Sequence, residues 1–91
     1  MNIIKIAPAA PVIPQEVTAF QARAALANSG YLEVVTAYMD TLSPNDVSRL
    51  AWEHAQTFKR TSPTIAGLAP LLGMDDAQLD QLFIAAAQID A

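Results

Sequence analysis

Apolar and polar positions along the chain alternate on a helical period in five stretches, and capping residues separate those stretches. The first runs from near Thr18 through F-Q-A-R-A-A-L-A-N-S, with small side chains except at Phe20, Arg23 and Leu26. Thr18 and Gln21 stand before it at capping-box spacing, a hydroxyl for one orphan N–H and an amide reaching back. Gly30, free to take the left-handed conformation, ends it. The second helix is expected from Tyr31 to about Thr41, with Tyr31, Val34, Val35, Tyr38 and Leu42 on one stripe and Glu33, Thr36 and Asp40 opposite.

The third and longest stretch lies between two Ser-Pro pairs, Ser43-Pro44 and Ser62-Pro63. Ser43 is the expected N-cap, Pro44 the first helical residue, and Lys59-Arg60 the last turn, where cations suit the helix dipole. On this wheel Val47, Leu50, Ala51, His54, Ala55 and Phe58 share one face, and Arg49, Glu53, Gln56 and Arg60 the other. Arg49 and Glu53 are spaced for an exposed ion pair. Trp52 falls on the boundary, placed either to roof the core or to anchor a partner. Ser62 caps a fourth helix that contains Pro70, where a kink is expected, and ends at Gly73. Asp75 and Gln78 form a second capping-box spacing for a fifth helix, Asp76 to about Ile89, whose core stripe is Leu79, Leu82, Phe83 and Ala86.

The N-terminal stretch differs. Pro8, Pro11 and Pro14 recur every three residues, which favours an extended, polyproline-like arm. Ile3, Ile4, Ile6, Val12 and Ile13 make that arm apolar, so it needs a surface to lie on, its own helices or another chain. The expected architecture is therefore all-α: a small bundle of about five short helices over residues 16–91, with an extended Pro-rich arm over residues 1–15.

Length and composition narrow the function. At 91 residues a single domain is expected, burying roughly 60–65% of the surface of the unfolded chain. The absence of cysteine removes a disulfide scaffold, a thiolate zinc site and a cysteine nucleophile. A formal charge of −4 disfavours a nucleic-acid partner. Apolar residues reach 53% while charged ones are 15%, a poverty of charge that points to surface covered by a partner, or to alanine on solvated faces. No apolar run reaches the ~20 residues that span a bilayer, and the prolines interrupt any secretory apolar region.

Candidate chemistry is sparse. His54 is the only histidine and lies on the apolar stripe, which makes it a core or interface residue rather than a general base. Asp75, Asp76 and Asp80 lack the glycine and closing glutamate of a calcium loop. No phosphate loop, nucleophile elbow or dinucleotide fingerprint is present. Ile65 to Ile84 has the spacing of a helix-turn-helix, with Gly73 in the turn, but its second helix carries three carboxylates and no basic residue. No catalytic, cofactor-binding or metal-binding residue is assigned, and no enzyme is expected.

Three segments carry a resemblance: V-T-A-F-Q-A-R-A-A-L (Val17 to Leu26), A-W-E-H-A-Q-T-F-K-R-T-S-P-T-I-A-G-L-A (Ala51 to Ala69) and L-G-M-D-D-A-Q-L-D-Q-L-F (Leu72 to Phe83). Together they resemble a family of small helical proteins encoded among bacteriophage tail and tail-fibre genes. The Pro-rich arm lies outside the resemblance. It implies a structural or adaptor subunit of the virion tail, in the fibre or baseplate region, made in the host cytoplasm and present in several copies. Its implied partners are other tail or fibre proteins and copies of itself, with no nucleic acid, membrane, cofactor or small-molecule substrate. Ile3, Ile4, Ile6, Val12, Ile13 and Trp52 are the contact candidates. The alternatives are a small helix-turn-helix-like regulator and a fibre-assembly chaperone.

Overall fold

A computed structural model describes residues 12–90. In chain order the elements are β1 (Glu16–Thr18), α1 (Ala19–Asn28), α2 (Leu32–Thr41), α3 (Val47–His54), β2 (Thr57–Lys59), α4 (Pro63–Leu72) and α5 (Asp76–Ala87). The fold is mostly helical, as expected, but it is not all-α. β1 and β2 pair antiparallel, Glu16 opposite Lys59, Val17 opposite Phe58 and Thr18 opposite Thr57.

The sheet has a simple physical cause. Each strand reads exposed–buried–exposed, so Val17 and Phe58 turn inward as a β-branched and aromatic cross-strand pair. The ladder continues past both ends, with the Ala19 N–H donating to the Gln56 carbonyl at 2.8 Å and the Arg60 N–H to the Gln15 carbonyl at 2.9 Å. The Thr57 hydroxyl donates to the Glu16 carboxylate at 3.1 Å across the same ribbon.

Local signals set most helix ends. Thr18 and Gln21 form the reciprocal capping box that opens α1, and Asp75 and Gln78 form another at α5. Ser62 accepts from the Ile65 N–H at the start of α4, with Pro63 in the first turn. Gly30 (φ +82°) and Gly73 (φ +68°) are left-handed. After each, the next N–H reaches back five residues, Tyr31 to the Leu26 carbonyl and Met74 to the Ala69 carbonyl, both at 2.8 Å. This is the Schellman closure that satisfies orphan carbonyls. Pro70 is exposed within α4, which continues to Leu72.

The central stretch departs from the expected long helix. Ser43 and Pro44 do not begin it: the Asp46 N–H donates to the Ser43 carbonyl at 2.9 Å in a turn. Asp46 is the N-cap of α3, its carboxylate accepting from the Ser48 N–H at 2.8 Å. The helix ends at His54, Ala55 turns extended (ψ 140°), and Phe58 and Lys59 belong to β2. Eight helical residues stand where about seventeen were expected from the Ser-Pro spacing.

The core is continuous. Val17, Leu26, Val35, Trp52, Phe58, Ile65, Leu68, Leu79 and Phe83 are all buried within one cluster. The short alanines of α1, Ala19, Ala22 and Ala25, are buried too, and α1 packs closely on α5. On α2 the buried residues are Val35 and Met39, so the expected stripe is rotated: Val34 and Tyr38 face solvent. On α5 Leu79, Phe83 and Ala86 are buried as expected, with Leu82 half-buried.

Candidate interaction surface

Trp52 is the first site to place. It is 6% exposed, so it roofs the core and is not available as a partner anchor. Its ring stacks on Phe58, centroids 5.9 Å apart at 23°. The Arg23 guanidinium from α1 lies over the indole, its carbon 5.0 Å from the ring centroid, and also donates to the Trp52 carbonyl. The cation thus covers one side of the ring and ties the last turn of α3 to α1. The premature end of α3 explains the arrangement, because only an extended Gln56–Phe58 brings the Phe58 ring back beneath Trp52.

Burying Trp52 turns the rest of α3 over. Val47 is 78% exposed and Leu50 41%, and His54 on the same stripe is exposed. Of the stripe expected to face the core, Val47, Leu50 and His54 are exposed, Ala51 and Ala55 are half-buried and only Phe58 is buried, so His54, expected at the core or an interface, is not a core residue. The opposite side is held by polar contacts. Arg49 donates to the Leu42 carbonyl at 2.8 Å, lies 3.2 Å from Glu53 as expected, and reaches Asp40 at 3.9 Å. These contacts pin α3 to the end of α2, the neighbour whose Val34 and Tyr38 also face solvent.

Of the arm candidates, Val12 is 87% exposed and Ile13 is partly buried. Ile3, Ile4 and Ile6 lie outside the described residues. Phe20 adds a further exposed aromatic at the start of α1, 52% exposed. Sequence reasoning missed Phe20, Val34, Val47 and Leu50 as surface residues. The available signal was Trp52 itself, the largest apolar side chain of α3, whose burial dictates which face turns out.

The three aspartates at the start of α5 are accounted for. Asp75 caps α5, and Arg60 takes Asp80 at 2.8 Å and Asp76 at 3.7 Å, fastening the end of β2 to α5. Among the described residues no three His, Asp or Glu side chains come together as a ligand set. The void inside the core, between Val17, Leu26, Trp52 and Phe83, is about 10 Å³, room for one water at most. The helix-turn-helix spacing of α4 and α5 serves the core: Ile65 and Leu68 meet the same cluster as Leu79 and Phe83. Comparisons with protein-family models, curated proteins and solved structures give no match to this chain.

Proposed function

We propose that the chain is a structural or adaptor protein of a bacteriophage tail, in the fibre or baseplate region, which works in several copies by packing on protein neighbours. The observation that carries the packing role is the outward apolar stripe of α3, Val47 and Leu50, on a domain this small and poor in charge. Burying Trp52 leaves this apolar stripe in water in a monomer, whereas a subunit of an assembly covers it. The resemblance of the Val17–Leu26, Ala51–Ala69 and Leu72–Phe83 segments to small phage tail proteins supplies the virion context. The fold supports a passive role: the buried Trp52 and the fully engaged Arg23, Arg49 and Arg60 hold the module together.

Quantitative mass spectrometry of purified particles tests this reading. The protein is expected in particles at several copies, in fixed ratio to a tail protein. Its presence in infected cells together with its absence from particles would overturn the virion assignment.

A further inference from the structure

We infer that the pairing of β1 with β2, together with Arg23, is a latch that holds α3 short, and that withdrawing β1 lets α3 run on through Arg60. This switch belongs to the fold itself and stands apart from the virion role.

α3 stops where the sequence supplies no local stop. α1 and α4 close on the left-handed Gly30 and Gly73, and Pro44 follows the end of α2. At the end of α3 the cap is Ala55, and residues 55–61 contain no glycine, proline or asparagine. Ala55, Gln56, Lys59 and Arg60 are good helix formers, Thr57 and Phe58 middling ones, and the next break is Ser62-Pro63. The helix is therefore ended by contacts from elsewhere in the fold.

Two contacts do this, and each takes a backbone group that a continued helix would use. In such a helix the Gln56 N–H donates to the Trp52 carbonyl, four residues back. That carbonyl accepts instead from the Arg23 guanidinium, so a side chain of α1 caps the end of α3. In the same helix the Arg60 N–H would donate to the Gln56 carbonyl. Here the Gln56 carbonyl accepts from the Ala19 N–H at 2.8 Å, and the Arg60 N–H donates to the Gln15 carbonyl at 2.9 Å. The residues flanking β1 thus occupy both halves of one helical hydrogen bond.

These groups of Gln56 and Arg60 find partners in either state, so the side chains decide between the two. Phe58, opposite Val17 and stacked on Trp52, and Arg60, 2.8 Å from Asp80, favour the closed one. β1 is the movable half. It has three residues, a two-stranded ribbon is marginal on its own, and Val12 just ahead of it is 87% exposed. A pull on the chain ahead of Glu16 opens the ladder from its Gln15–Arg60 end. On the helical period Phe58 then falls on the side of Val47 and Leu50, so opening adds an aromatic ring to the exposed stripe of α3.

The full-length chain with Val17→Asp and Arg23→Met releases both contacts. A carboxylate does not stay buried opposite Phe58, and Met keeps an apolar stem without the donor. Backbone 13C NMR reads the outcome. In the unchanged chain the Cα signals of Gln56, Thr57 and Phe58 are expected upfield of coil positions, as in strands. In the released chain they are expected to cross to the downfield, helical side, while α1, α4 and α5 keep their helical positions. Signals that stay upfield, or that stop at coil positions, beside an intact α1, α4 and α5 would overturn the inference. If α5 unfolds as well, Val17→Ala with Arg23→Met loosens the same contacts more gently, and the same crossing or its absence decides. Val17→Asp with Arg23→Lys keeps a donor for the Trp52 carbonyl and is expected to move the signals less than half as far; an equal movement would remove Arg23 from the latch.

Discussion

The Arg23 guanidinium lies over the Trp52 indole, its carbon 5.0 Å from the ring centroid, and donates to the carbonyl of the same residue, so one side chain holds both the ring and the backbone of the last turn of α3. A partly desolvated cation–π contact and a charge-assisted hydrogen bond together make Arg23→Ala cost about 1–2 kcal/mol. Urea unfolding followed by Trp52 fluorescence measures that cost, and the native emission of the variant is expected to shift red as water reaches the ring. Arg23→Lys recovers less than half, because an ammonium lacks the planar stack.

Trp52→Ala removes the roof of the core, with a predicted loss of about 3–5 kcal/mol. Set against a total stability of about 5–15 kcal/mol for small domains, this variant should be partly unfolded at 37 °C by circular dichroism. A Trp serving a partner instead of the core would leave the melting curve of the isolated chain unchanged.

Arg60 ties β2 to α5 through two aspartates of unequal exposure. Its side chain is 15% exposed, with Asp80 at 27% and Asp76 at 95%. A double-mutant cycle with Arg60→Ala and Asp80→Asn is expected to give a coupling of about 1 kcal/mol that changes little with salt. The same cycle with Asp76→Asn is expected to give less than half of that and to fade in 1 M salt, as exposed pairs do.

Gly30 and Gly73 are left-handed, and an added Cβ at either meets nothing within 4 Å. Replacement by Ala therefore carries a backbone cost alone, about 1 kcal/mol at each site. Gly73→Asn is expected to cost less, since Asn tolerates this conformation. Thermal melts of the three variants check the order.

The sequence made the caps legible because a cap is a local device. Thr18 with Gln21, Asp75 with Gln78, Ser62, Gly30 and Gly73 each act on backbone groups within five residues, and each stands where its spacing placed it. The strands were not legible. β2 has three residues, and its partner is 41 positions away across the Glu16–Thr57 contact, so no local period announces it. Extending the helical wheel through Thr57–Lys59 then placed Phe58 on the stripe of Val47 and Leu50. Counting apolar positions favoured that face. The fold instead buries the single larger side chain, Trp52, and exposes two smaller ones. The same competition rotates α2, where Val35 and Met39 take the core and Val34 and Tyr38 do not. The exposed stripe of Val47 and Leu50 became visible only once α3 was seen to stop at His54.

The central claim, that this module works in several copies by packing its outward α3 face on protein neighbours, is tested most directly by the mass of the full-length chain in solution. Light scattering over a hundredfold range of concentration should show self-association. Leu50→Glu should return a folded monomer. A wild-type chain that stays a monodisperse monomer across that range would contradict the account.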